Sequence, residues 1–233
     1  MKKFLLLSIL ILPGVVSAQI EGYQHFDIHG FQVYVSDSAI VINDSTTQEA
    51  ISLLTSKLKE IDDFGLRSDI IDSLKTVSFF VEWNSAYSAA MYHPSREWLV
   101  ENGYIPEKAK SIEISNVQNF IDWTALNQPY MVLHELAHAY HHKVLSFEYQ
   151  LIIRAYEEAM GQSLYSSVSL HKGNGEYIKA SAYAATNKLE YFAELTEAFF
   201  GKNDFFPFTK AELKEYDPKA YEVLKRIWQF AHN

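Results

Sequence analysis

The chain contains no cysteine. No disulfide can cross-link it and no thiol can carry a lipid, so its stability has to come from packing. Positive charge is also scarce, with 20 lysines and arginines against 29 acids and a net charge of −9. That balance argues against a nucleic-acid partner, whose phosphate backbone would be repelled. Beyond the first eighteen residues no segment approaches the roughly 20 uninterrupted apolar residues that span a bilayer. Like-charge runs, low-complexity tracts and repeat periods are likewise missing.

What the first eighteen residues do contain is an export signal. Lys2 and Lys3 precede the apolar run Phe4 to Leu12, Pro13-Gly14 break it, and Val16-Ser17-Ala18 offers small residues before Gln19. The expectation is a signal peptide over 1–18, cleaved after Ala18, and a secreted or periplasmic protein with no stable membrane anchor. Without Lys2 and Lys3 the charge becomes −11. The remaining 19–233 suit one domain of two lobes, about 19–145 and a mostly helical 146–233, and an aromatic content of 15% supplies a large core.

Periodicity then places the elements. Phe31, Val33 and Val35 alternate as a strand after His29-Gly30, the second arm of a hairpin begun at Phe26 to Ile28. Thr46 with Glu49 reads as a capping box for a helix carrying Ala50, Leu54, Leu58 and Ile61. A short helix over Ser68 to Leu74 leads into a strand over Val77 to Val81. Asn84 to Ser95 reads as loop, Arg96 to Glu101 as a short helix and Ile112 to Ser115 as a further strand. After Pro129 a helix runs to about Leu145, apolar in nearly every direction and therefore buried. Helices over Glu148 to Met160 and Lys188 to Phe200 flank a hairpin turning at Asn174-Gly175. Thr209 with Glu212 caps a further helix, and Asp217-Pro218 opens the last, to about Phe230.

The buried helix carries His134-Glu135-Leu136-Ala137-His138. Two imidazoles at i and i+4 share a helix face and can ligate one zinc ion, while Glu135, about 100° around the helix, reaches the open coordination position as a general base. This is the pattern of a zinc hydrolase, with one Zn2+ per chain. A metzincin would place a glycine and a third histidine where His141 and Val144 stand, so that pattern fails. His141 itself lies about 10 Å along the helix from His134, too far to share its ion. The third ligand is better sought in Glu190-Tyr191-Phe192-Ala193-Glu194, where Glu190 and Glu194 share a face. One can bind the metal while the other accepts the spare N–H of a ligating histidine.

The stretch Tyr183 to Glu194, with tyrosine and glutamate seven positions apart, resembles the corresponding segment of gluzincin metallopeptidases of the anthrax lethal factor type. The likeness covers about Pro129 to Gly201 and does not extend to residues 19–128. It implies a zincin-like α+β fold, a small mixed sheet with an active-site helix and a helical C-terminal lobe. It further implies that His134, His138 and Glu190 are ligands, that Tyr183 supports an oxyanion, and that Glu194 is the acid behind a ligating histidine. In zincins the sheet edge preceding the metal helix commonly pairs with extended substrate, which makes Ile112, Glu113, Ile114, Ser115 and Asn116 the candidate strand for a peptide or protein partner.

Other residues weigh less. His25, Asp27 and His29 fit a half-exposed strand better than a second metal site, His141 and His142 fit packing or surface, and His93 and His171 carry no ligand spacing. The expected reaction is hydrolysis of a peptide bond. The alternatives are a secreted zinc-containing binding module without catalysis, which would have no use for Glu135, and hydrolysis of a non-peptide amide.

Overall fold

The computed structural model describes residues 20–84 and 89–229. The expected signal peptide over 1–18 lies outside the described residues, as does Phe230, and the last helix, expected to reach about Phe230, stops at Ile227. In chain order the elements are β1 (Tyr23–Ile28), β2 (Phe31–Ser36), α1 (Asp37–Asp62), α2 (Ser68–Lys75), β3 (Phe79–Val81), β4 (Met91–Tyr92), α3 (Arg96–Glu101), β5 (Ile112–Ile114) and α4 (Val117–Leu126). Then come α5 (Met131–Tyr140), α6 (Gln150–Gly161), β6 (Val168–Gly173), β7 (Glu176–Ala180), α7 (Lys188–Phe200), α8 (Lys210–Tyr216) and α9 (Pro218–Ile227). The fold is α+β, with a small mixed sheet in the N-terminal half and helices predominating after it.

Strand order in the main sheet is β1-β2-β3-β5-β4, antiparallel at both ends and parallel across β2, β3 and β5. The β1–β2 turn is made by His29 and Gly30, both at positive φ, as a two-residue hairpin requires. Register aligns Val33 with Phe79 and Phe79 with Ile112, then Val35 with Val81 and Val81 with Ile114, so one face is a continuous apolar floor. On the other face Phe80 pairs with Glu113, which is fully buried. Lys108 satisfies it at 3.0 Å and His93 at 3.0 Å, and Lys108 also reaches Glu82 at 2.6 Å. Burial alone would raise the Glu113 carboxyl, but His93 and Lys108 hold it below the usual range.

Several local expectations change. The Thr46 capping box is replaced by Asn43, where the backbone leaves helical geometry and the side chain accepts the Thr46 N–H at 3.1 Å. An extra turn, capped by Ser36, precedes that kink. The loop read over Asn84 to Ser95 contains β4, too short to leave a periodic signature. The stretch before Pro129 contains α4, whose N-cap is Asn116. The Asn174-Gly175 hairpin and the Thr209–Glu212 capping box occur as expected.

The C-terminal helices lock onto the metal-helix candidate through Trp228. Its ring is fully buried against Tyr140 and Phe192, and its indole N–H donates to Thr196 at 3.0 Å. At the other end of α7, Gly201 lies directly against the ring of Tyr130, the residue that opens α5 and whose hydroxyl donates to Glu60 at 2.6 Å. A Cβ at position 201 would fall inside that ring. Gly201→Ala should therefore destabilise the fold by about 1–3 kcal/mol through overpacking, seen as a lower urea midpoint at unchanged slope. An alanine variant as stable as wild type would mean that this contact does not fix α7 against α5.

Candidate active site

Helix α5 has no glycine or proline over Met131–Tyr140 and buries every residue except His138, which is half-buried. A helix submerged in this way cannot leave its two histidines and its carboxylate without partners. The partners of the histidines come from α7. Asn187 caps that helix by accepting the N–H groups of Leu189 at 2.8 Å and Glu190 at 3.0 Å, which fixes the first turn and turns Glu190 toward α5. Positions 190, 194 and 197 then fall on one helical face.

Three side-chain atoms converge. His134 Nε2 and His138 Nε2 are 3.1 Å apart, and each lies 3.1 Å from Glu190 Oε2. Ligand atoms about 2.0–2.1 Å from one tetrahedral zinc sit roughly 3.3 Å from each other, so this triangle fits one face of such a site. These residues form a group that could hold a metal ion. On the far side of the ring, His134 Nδ1 meets Glu197 Oε1 at 2.8 Å. A proton on Nδ1 leaves the Nε2 lone pair facing His138 and Glu190, a set of mutually repelling donors that a cation would reconcile.

The electrostatics follow from the same contacts. Burial would lower the His134 pKa, but hydrogen bonds with Glu190 and Glu197 override it and hold it well above the ordinary imidazole value. Burial would raise Glu190, and the two histidines bring it down to about 2. Burial, together with the charges of Glu197 and Asp204, pushes Glu194 well above the usual carboxylate range. Burial followed by the Glu197 charge lifts Asp204 to about 7.

Glu135 lies beside the triangle and does not belong to it. Its Oε2 accepts the backbone N–H of Tyr92 at 2.8 Å, from the outer side of β4. The Tyr92 hydroxyl meets His142 Nδ1 at 2.9 Å, a second tie from β4, here to the helical turn that follows α5. Tyr183 sits on a single 3-10 turn just before α7. Its ring lies nearly parallel to that of His134, centroids 6.4 Å apart, and is 49% exposed to the cleft. Burial and the Glu190 charge raise its pKa, so the hydroxyl keeps its proton near neutrality and can donate.

These groups line a cavity of about 440 Å³. Its wall is Ala89 to Tyr92, its floor the two histidines and Glu135, and its opposite side Tyr183, Glu190, Glu194 and Glu197, with Trp123, Gln128, Met131 and Asp204 closing it. His134, Glu135, His138, Tyr183, Glu190 and Glu194 thus all meet at one place.

Two expectations need correction. The acid behind His134 is Glu197; Glu194 instead accepts a hydrogen bond from Asn203 at 3.1 Å, because one further helical turn is needed to reach Nδ1. The strand Ile112, Glu113, Ile114 is not the sheet edge, since β3 pairs with one side and β4 with the other. Ser115 donates to the Ala89 carbonyl at 3.0 Å and Asn116 is a helix cap, so this segment has no open edge for a ligand. The edge along the cleft is β4. Sequence reasoning also missed Asp204 and Gln128 at the cleft end. Glu197 was findable from its seven-residue spacing to Glu190, whereas Asp204 follows a helix break and leaves no signal.

The other histidines stay outside. His141 is fully buried between Phe147 and Phe192, neither ring nitrogen has a partner among the described residues, and burial pushes it down to about 3. His25 pairs with Gln32 at 2.7 Å on the exposed hairpin, and His93 belongs to the buried Glu113 network.

No protein-family model, curated protein or solved structure matches this chain.

The Glu197–His134 bond generates a quantitative expectation. Metal can bind only after His134 loses the proton that Glu190 and Glu197 help it hold, so apparent zinc affinity should climb with pH through the range above the ordinary histidine value. Glu197→Gln should lower zinc affinity about 10–100-fold at alkaline pH, where the outer carboxylate orients the ring. The deficit should shrink on acidification, because the variant's His134 binds its competing proton less firmly. Chelator competition from about pH 5.5 to about pH 8.5 measures both arms; a deficit constant across that range would detach Glu197 from His134 protonation.

Proposed function

We propose that this chain is an exported zinc-dependent metallopeptidase of gluzincin type, with a zincin-like fold, one zinc per chain held by His134, His138 and Glu190, and a peptide or protein substrate. The observation that carries the reading is the meeting of three ligating atoms 3.1 Å apart with a carboxylate that does not ligate, all opening on one cleft. A structural zinc site is ordinarily closed by four protein ligands, whereas three ligands beside a cavity leave a position for chemistry. A zinc ion bound there supplies Lewis acidity toward a water and a carbonyl oxygen.

The chain's own residues supply the rest. Glu135, with one oxygen fixed by Tyr92, takes the proton of the attacking water on its other oxygen and later returns it to the leaving amine. Tyr183, protonated and half-exposed beside His134, donates a hydrogen bond to the carbonyl oxygen as negative charge develops. Glu197 holds the His134 ring in the tautomer that leaves Nε2 free. The substrate-aligning edge assigned to Ile112–Asn116 passes to β4, which borders the same cleft.

A binding module that keeps zinc without catalysis gains support from one observation, the bond from the Tyr92 N–H to Glu135, which gives that carboxylate a structural task as well. An unbiased peptide-library digest with and without a zinc chelator separates the two. Glu135→Gln should retain zinc and fold yet lose about a hundred- to ten-thousandfold in turnover, the loss expected on removing a general base. Tyr183→Phe should retain zinc and slow turnover roughly ten- to a thousandfold. Full activity in Glu135→Gln sinks the hydrolase mechanism; full activity in Tyr183→Phe removes only the tyrosine's part.

A further inference from the structure

The cleft is acid-lined beyond what the proposed chemistry uses. Glu194 and Asp204 are 4% and 6% exposed, and among the described residues neither is paired with a lysine or arginine. Both also line an adjoining cavity of about 380 Å³, which shares Gln128 and Tyr183 with the first and continues past Ser181, Thr186 and Phe205. No lysine or arginine lines either space.

Their hydrogen bonding is incomplete. Glu194 receives one bond, from Asn203 to Oε2, and its other oxygen has no hydrogen-bond partner among the described residues. Asp204 Oδ2 receives only long contacts, from Asn127 Nδ2 at 3.3 Å and Gln128 Nε2 at 3.5 Å. Two buried carboxyls with a weak donor supply resist ionisation on their own, and an entering cation would let them ionise against it. Glu190 and Glu197 are taken up by the histidines, and no lysine or arginine among the described residues forms an ion pair with Glu194 or Asp204. The space beside them adjoins the candidate scissile position and is open to a group entering from outside.

We propose that Glu194 and Asp204 form the recognition pocket for a cationic side chain, lysine or arginine, of the substrate residue that flanks the scissile bond. The inference rests on the peptidase reading for the words substrate and scissile, but the pocket itself can be tested without turnover. A lysine ammonium has three donors for the two under-bonded carboxylates, and an arginine guanidinium has five in a planar fork. Its aliphatic stem would pass the half-exposed ring of Tyr183, which lines both cavities.

The test compares two peptides, acetyl-Ala-Ala-Lys-Ala-Ala-amide and its twin with norleucine in place of lysine, by calorimetry against the full-length mature protein carrying Glu135→Gln, so that cleavage does not intrude. The lysine peptide should bind about ten- to a hundredfold more tightly, the range of a desolvated charge pair. Adding Asp204→Asn or Glu194→Gln should remove most of that preference and leave the norleucine peptide bound as before, which also shows that the variant is folded. Equal binding of the two peptides, no binding of either, or a preference that survives both substitutions together overturns the proposal. Wild-type protein that prefers the lysine peptide yet never cleaves it supports the pocket and sinks the peptidase reading. Cleavage with no basic preference does the reverse.

Discussion

The register of α7 against α5 is the constraint on which the site depends. His134 is held from both ends, by Glu197 at Nδ1 and by Glu190 near Nε2, and those two acids are seven residues apart on one helix. A slip of α7 by a single residue would swing both away from the ring, because each residue turns the helix by about 100°. Two devices prevent the slip. Asn187 caps the start of α7, and at its end Gly201 admits the Tyr130 ring so closely that no side chain fits between.

The cleft concentrates acidic side chains. Glu135, Glu190, Glu194, Glu197 and Asp204 all line it, without a lysine or arginine among them. Such a cluster opposes folding, and the protein has no cross-links to counter it. The opposition is met by apolar burial around the site, with Leu136, Ala137, Phe192, Leu195 and Trp228 at 2% exposure or less, each larger one contributing on the order of 1.5–3 kcal/mol. Rigid surroundings are therefore what allow an electrostatically unfavourable site to persist.

Much of this was legible in the sequence wherever a physical signal is local. The His134 to His138 spacing, the Asn174-Gly175 turn, the Thr209–Glu212 cap and the Gly201 stop are each determined by neighbouring residues. The convergence of Glu190 and Tyr183 on the two histidines was also readable from spacing and resemblance. What escaped depends on tertiary pairing. Two-residue β4 has no periodicity, so the position of β5 inside the sheet could not be seen, and with it the buried task of Glu113. The choice between Glu194 and Glu197 turns on the depth at which α7 packs, which helical spacing alone leaves open. Asp204 reaches the cleft from an irregular segment whose backbone carbonyl accepts the His171 N–H at 2.8 Å, a contact between distant parts of the chain.

The bond from the Tyr92 N–H to Glu135 has a mechanical consequence. The last strand of the sheet and the middle of the central helix are joined through a single carboxylate, so a displacement of β4 is transmitted directly to the orientation of that group. Glu135 has one oxygen left for any proton it handles, and the direction in which that oxygen points is fixed by the lateral position of Tyr92. The sheet edge thus acts as an alignment stop for Glu135, and small changes in strand position become changes in angle at that carboxylate, with no residue of α5 having moved.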